Sequence, residues 1–293
     1  MEIVEKRKIF FTLSALIILI GIIFGVVQGI ELGIDFTGGT EIQIDLGQYV
    51  ETEEIRMIVD EIDPSASINH IGTDRTIVAI RTIETIGTEE RAQLFEIFQE
   101  TYNLPDEQRI AVEQFGAAVG REIQQRALFS ILLSAVGMLI YISFRFELSY
   151  GFASLLALAH DILILVSVYA ILGIPINNPF IAAVLTILGY SINDSIVVFD
   201  RVRENIPFMK KRNYKEVGNL SIQQTVKRSL ITSITTLVTI TALYILGVEQ
   251  VRTFALPLIA GVISGTYSSI FIATPIWVSI KEFQERKKSY QGA

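Results

Sequence analysis

Six stretches of about twenty predominantly apolar residues run through this chain, each long enough to cross a bilayer as a helix. They cover roughly 9–29, 124–144, 150–172, 179–200, 229–247 and 253–280. In lipid only helices and closed barrels satisfy every backbone polar group, so a helical membrane bundle is the fold these stretches dictate. The first is not read as a cleavable signal. Its apolar run exceeds about 18 residues, and Gly33-Ile34-Asp35 stands where a small-residue cleavage site is expected. The last is long and ends in Trp277, placed for a membrane–water interface.

Charge divides the chain into two materials. Residues 30–120 hold 19 of the 31 acids and only 5 of the 24 lysines and arginines, a net of about −14 against about +7 for the rest. Lysine and arginine mark the cytoplasmic side of a membrane protein. Lys6, Arg7 and Lys8 precede span one. Arg201, Arg203, Lys210, Lys211, Arg212, Lys215, Lys227 and Arg228 lie in the connection 201–228 between spans four and five. Lys281, Arg286, Lys287 and Lys288 lie in the tail. With six spans all three groups fall on one side, and Arg145 joins them. A multi-pass plasma (inner) membrane protein is expected, with both termini cytoplasmic and residues 30–120 outside. The divisions are 1–29 (N-terminus and span one), 30–120 (external domain) and 121–293 (spans two to six and a basic tail).

Several chemistries are excluded or weakened. There is no cysteine, hence no disulfide framework, thiolate nucleophile or Cys-type zinc site, which also suits an oxidising outer compartment. The two histidines, His70 and His160, cannot build a His-rich metal cluster. No phosphate-binding glycine motif is present, which argues against a nucleotide-driven pump. No cofactor and no nucleic-acid partner are expected.

The external block alternates like a half-buried strand over 41–46, turns helical over 52–62 until Asp63-Pro64, and alternates again over Ser67–Ile71 and Thr76–Ile83 around a Gly72-Thr73-Asp74-Arg75 hairpin. A second helix over 89–102 and a strand over Arg109–Phe115 complete βαββαβ, the ferredoxin-like order. A helix-type run over 117–126 leads into span two.

Polar residues inside the spans carry the functional reading, because a carboxylate at bilayer depth costs about 2.5–3.5 kcal/mol even on lenient scales and usually faces an ion or proton path. Asp161 lies midway along span three beside His160, where the alternative is a satisfied structural pair. Asp194 lies in span four, with Thr186, Tyr190 and Asn193 on its helical face. In span five Thr232, Thr235, Thr236 and Thr239 line up with Arg228. Spans four and five run antiparallel, so Arg228 can reach toward Asp194 to make a protonatable pair. The threonines could instead simply pack or bond their own carbonyls, and Arg228 could snorkel to headgroups. Gly261, Ser264, Gly265 and Ser268 give span six a small-residue face for close helix contact. Gly33, Gly38 and Gly39 stand at the root of the external domain, where they form either a bending joint or a rigid turn.

At these residues the chain resembles the SecF side of the SecD/SecF family of protein-export membrane subunits, within the resistance-nodulation-division superfamily. The resemblance spans nearly the whole length. It rests on Gly33-Ile-Asp35-Phe-Thr-Gly38-Gly39, Ala159-His-Asp161, the seventeen residues Gly189–Asn205, Arg228–Thr236 and Gly261–Ala273. The family's Gly-Pro pair before span two reads Gly116-Ala117 here. The resemblance implies an α-helical polytopic fold of six transmembrane helices, half of a twelve-helix unit, with an extracytoplasmic α+β ferredoxin-like domain. It implies a SecD-like partner, the SecYEG translocon with SecA, and an unfolded translocating polypeptide. The proton is the implied coupling ion, with proton coupling falling on Asp194 and Arg228. The competing readings are a proton-driven half-transporter for lipids or small molecules, and a purely structural subunit. An intramembrane aspartyl protease using Asp161 and Asp194 is disfavoured, since the segment reads Ser-Ile-Asn-Asp and not Gly-x-Gly-Asp.

Overall fold

The computed structural model describes residues 2–61, 63–71, 74–84, 86–105, 110–209 and 213–291. Ile62, Gly72-Thr73, Arg109 and Lys210–Arg212, used above to end a helix, turn a hairpin, start a strand and orient the chain, lie outside these residues, as does the side chain of Lys288. The chain divides into two compact units, residues 32–127 and residues 1–31 with 128–293.

Among the described residues, six helical segments are long and apolar enough to span a membrane. They are α1 (Arg7–Val27), α5 (Ala117–Arg145), α6 (Leu148–Leu172), α7 (Asn178–Asn205), α8 (Tyr214–Leu246), and a sixth run made of α9 (Glu249–Ser268), a π-helical turn Ser269–Ala273 and α10 (Thr274–Gln291). Their ends follow local chemistry. The Asn177 side chain accepts a 3.0 Å hydrogen bond from the Phe180 amide at the start of α7, with Pro179 in the first turn. Gly173 ends α6 at φ 61°, the left-handed cap that glycine favours.

Helices α6, α7 and the sixth run form the interior of the bundle. One cluster gathers Tyr150, Phe199 and Trp277, with the Tyr150 and Trp277 rings stacked 5.2 Å apart. Another gathers Leu165, Tyr169, Phe180 and Ile187. Trp277 is therefore a core residue, fully buried, and not the interfacial anchor its position suggested. Helices α1, α5 and α8 keep much of their apolar surface outward (Leu16, Leu132, Ile234). The connection 201–228 is also mostly helix. Residues 201–205 end α7, a 3-10 turn covers Ile206–Phe208, and α8 begins at Tyr214 under an Asn213 cap. Charge marks where the bilayer ends, and a helix can continue past that point.

The other unit holds α2 (Ile34–Thr37), β1 (Gly39–Asp45), α3 (Thr52–Val59), β2 (Ser67–Ile71), β3 (Ile77–Thr82), α4 (Thr88–Tyr102) and β4 (Ile110–Phe115). The strands form one antiparallel sheet in the order β2-β3-β1-β4, with Ile42 opposite both Ile80 and Val112. This is the expected βαββαβ arrangement. Ile42, Ile44, Val78 and Ile80 pack with Ile55 and Val59 of α3 and Leu94 and Phe98 of α4.

The glycine root of this unit is closely packed. Gly38 has φ 77° and Gly39 φ 123°, and a Cβ on Gly39 would lie 2.1 Å from the Thr82 carbonyl oxygen. A Cβ on Gly38 would lie 2.7 Å from the backbone of Ala117. Gly33 has ordinary φ and caps α2, whose Asp35 is buried. These contacts are those of a tight turn. Gly39→Ala is expected to cost about 2–4 kcal/mol. Gly47→Ala, at φ 66° with nothing within 4 Å, should cost only about 1 kcal/mol. Thermal unfolding of both variants in detergent checks the contrast, and equal losses would remove the steric account.

Asp63 ties the end of α3 to β3. Its carboxylate accepts from the Ser65 amide at 2.8 Å, from the Ser65 hydroxyl at 2.6 Å and from the Thr82 hydroxyl. The Ser65 and Thr82 hydroxyl bonds hold its pKa below the ordinary carboxylate value, against the opposing effect of burial. A depressed pKa means stability present at neutral pH and lost as pH falls through the folded-state titration. Asp63→Asn is expected to lower stability by about 1–2 kcal/mol at neutral pH. The gap to the unaltered chain should close in acid, as read by circular-dichroism melting across pH.

Candidate functional site

The two intramembrane acids occupy opposite kinds of surroundings. Asp161 on α6 is 2% exposed and saturated with donors. Its Oδ2 accepts from Ser191 of α7 at 2.6 Å and from Ser268 of α9 at 2.7 Å. Its Oδ1 accepts from Ser264 of α9 at 2.7 Å and lies 3.1 Å from His160 Nδ1. The other imidazole nitrogen, Nε2, lies 2.8 Å from Ser14 Oγ of α1. One carboxylate thus links three helices, α6, α7 and α9, and His160 extends the network to α1. The small face of α9 makes this possible: a Cβ on Gly265 would meet Ser191 Cβ at 3.0 Å, and one on Gly261 would overlap Ile187. Absent side chains let α7 and α9 approach until serine hydroxyls reach the acid. The sequence reading assigned Ser264 and Ser268 to packing alone and passed over Ser14, Ser191 and Tyr267. A row of small hydroxyl residues opposite a buried acid was the available signal.

Asp194 on α7 is 3% exposed, yet its Oδ2 has no hydrogen-bond partner. It faces Ser229 and Arg228 of α8. The buried Ser229 hydroxyl is itself without a partner of ordinary geometry. Arg228 interacts with Asp194 electrostatically without closing to a direct ion pair. It lines a polar cleft of about 420 Å³ with Asp200, Arg201, Glu204, Gln224 and Thr225, between α7 and α8. The pairing expected from sequence is thus present as proximity. Arg228 also lies well inside α8, which begins at Tyr214.

The accessory residues separate. Tyr190 donates to Ser233 of α8 at 3.1 Å, and Ser233 Oγ lies 2.6 Å from Thr266 of α9. Asn193 is exposed, as is Thr186, which donates to the Ala182 carbonyl. Thr232, Thr235, Thr236 and Thr239 each return their hydroxyl to a carbonyl of α8, to Arg228, Thr232, Thr232 and Thr235 respectively. The stripe therefore does not converge on Asp194, because a helical threonine finds an acceptor three or four residues back more readily than across a gap.

The two carboxylates thus differ in their partners: four side chains converge on Asp161, whereas one oxygen of Asp194 has none. Among the described residues no group of three or more His, Cys, Asp or Glu could hold a metal ion.

Comparison with known proteins matches residues 94–283 to the family "Protein export membrane protein SecD/SecF, C-terminal" and residues 23–50 to the "SecD/SecF GG Motif". The chain is 35% identical over 303 residues to the protein translocase subunit SecF of Petrotoga mobilis, covering 99% of both chains. It is 37% identical to that of Haemophilus influenzae, covering 94% of this chain and 84% of the relative. It is also 36% identical to the protein translocase subunit SecDF of Thermus thermophilus, covering 95% of this chain and 39% of that longer one. The crystal structure of Thermus SecDF, described as a translocon-associated membrane protein, matches with a TM-score of 0.85 at 34% identity, over 96% of this chain and 39% of that one.

Proposed function

Because the chain belongs to the SecD/SecF family of protein-export membrane proteins, we propose that it uses the proton motive force, together with a SecD-like subunit, to drive the late stage of translocation. The coarse role, a membrane-embedded accessory of Sec protein translocation and not an enzyme, follows from family membership. The fused SecDF relatives, of which this chain spans 39%, support a SecD-type partner. In the proposed reaction SecA and SecYEG deliver an unfolded chain, and the 30–120 domain acts on it outside the membrane.

The observation that carries the proton reading is Asp194: buried in α7, one oxygen without a partner, and facing an arginine that lines a polar cleft. Protonation removes the charge that Arg228 faces and changes what holds α7 against α8. If the protonated and ionised packings favour different positions of the domain, proton flow becomes motion. Each proton crossing about 100 mV supplies about 2.3 kcal/mol.

The test is reconstitution with the SecD-like subunit, SecYEG and SecA, with a secretory chain arrested midway. Single cysteines placed in residues 30–120 of this cysteine-free chain should crosslink to the arrested substrate, and dissipating the proton gradient should slow its release. Release indifferent to the gradient would sink the proton coupling. Absence of any crosslink would sink the pulling role.

A further inference from the structure

The first membrane helix and the end of the sixth run meet at two contacts, neither of which involves the buried acids. The Phe10 ring lies 4.3 Å from that of Phe271 in the π-helical turn, and Arg7 pairs with Glu282 at 3.4 Å toward the basic end of the bundle. Beside these contacts α1 and α10 leave an open groove of about 510 Å³, a size within the range of about 300–1,000 Å³ typical of small-ligand sites.

The wall of the groove is apolar along most of its length and basic at one end. Ile276, Ile280, Phe283 and Lys287 of α10 recur at i, i+4, i+7 and i+11, so they share one helix face, and Phe11 of α1 completes the lining. Phe283 is 69% exposed, a large ring that no other part of the chain covers. Ser279 also lines the groove but donates to its own helix, to the Pro275 carbonyl at 2.7 Å. Gln284 and Lys287, both exposed, supply the polar end. Lys8, also exposed, precedes Phe11 by about one turn and adds positive charge to that end of α1. The nearby acids of α10 are engaged elsewhere: Glu282 with Arg7 and Lys215, and Glu285 with the Tyr214 hydroxyl at 3.2 Å. Among the described residues no carboxylate lines the groove.

We propose that this groove holds one anionic phospholipid, with an acyl chain against Phe11, Ile276, Ile280 and Phe283 and the phosphate at Lys287. The order along the wall, apolar and then cationic toward the end of the helix, is the order of a phospholipid from tail to headgroup. A free anion has no use for four apolar side chains. A zwitterionic lipid fills the same groove but brings an ammonium group that Lys287 repels, so charge favours the anionic headgroup. The site does not rest on the role proposed for Asp194.

Native mass spectrometry of the full-length protein counts bound lipids directly, after titration with phosphatidylglycerol or with phosphatidylcholine of the same acyl chains. One phosphatidylglycerol should bind about fivefold or more tightly than phosphatidylcholine, as expected for a basic residue facing an anionic headgroup. Lys287→Gln should remove most of that preference and leave phosphatidylcholine binding unchanged. Ile280→Trp, which fills the groove, should weaken both lipids. Phe144→Ala, which truncates a ring 94% exposed on α5, should weaken neither. Circular dichroism shows whether each variant keeps its helices, and Lys287→Gln, at an exposed position, tests the headgroup contact even if Ile280→Trp fails to fold. Equal binding of the two lipids overturns the proposal, as does a preference that Lys287→Gln leaves intact. Complete displacement of the lipid by inorganic phosphate overturns it in favour of a free anion. Displacement by an added SecD-like subunit overturns it in favour of a protein interface.

Discussion

Asp194→Asn is expected to leave a folded, membrane-inserted chain whose contribution to translocation no longer responds to the proton gradient. Asparagine keeps the shape of the carboxyl and removes its charge along with its titration. The expected fold tolerance follows from the site, since Asp194 Oδ2 has no partner of ordinary geometry and the amide of asparagine can still face Ser229. The functional loss should be large. At about 100 mV one proton biases an equilibrium by about 2.3 kcal/mol, roughly 50-fold, and Asn cannot carry it. In the reconstituted system, release of the arrested substrate by the variant should match the unaltered system after the gradient is collapsed. Arg228→Lys should be intermediate. It keeps a positive charge near Asp194 but exchanges a planar, permanently charged group for one that is shorter and differently hydrated. An Asp194→Asn variant that responds normally to the gradient would falsify the coupling role and leave a scaffold.

The bundle and the βαββαβ domain were legible because their signals are periodic and local. Alternation over Glu41–Leu46 and the apolar spacing of Ile55, Ile58 and Val59 require no knowledge of the rest of the chain. The strand pairing then follows the connection rules, with β3 inserted between β2 and β1. Features depending on which helix faces meet were read less well. Thr232 and Ser268 are both hydroxyl residues at helical spacing on apolar helices. One bonds back to its own helix and the other crosses to Asp161. Their difference lies in the opposing surface: Gly261 and Gly265 bring α9 against α7, whereas Thr232 is exposed on α8. A single sequence shows the spacing along one helix but not the partner across from it. Hydropathy also could not show that residues 214–228 stay helical beyond the apolar stretch, since charged residues are good helix formers in water. Trp277 was placed by its sequence neighbours near an interface, while its ring is taken up by Tyr150 and Tyr214.

Asp161→Ala is the opposite experiment to Asp194→Asn, and a loss of fold is its expected result. Removing this carboxylate leaves the Ser191, Ser264 and Ser268 hydroxyls and His160 Nδ1 without their shared acceptor, on three different helices. Interhelical hydrogen bonds within membranes average only about 0.6 kcal/mol, because the separated helices find other partners. Four hydrogen bonds that converge on one buried carboxylate, three of them between helices, act together, and breaking such a buried network costs about 3–5 kcal/mol in soluble proteins. Between these limits, a loss of about 2–4 kcal/mol is expected for Asp161→Ala, against less than about 1 kcal/mol for Asp194→Asn. Asp161→Asn should fall between the two, since its amide oxygen still accepts while its NH2 meets donors. Unfolding of the three variants in bicelles by a denaturing detergent measures the order directly. If Asp194→Asn proved the most damaging and Asp161→Ala nearly silent, the roles assigned to the two acids would have to be exchanged. Ser191, which donates to Asp161, and Asp194 lie three residues, about one helical turn, apart on α7.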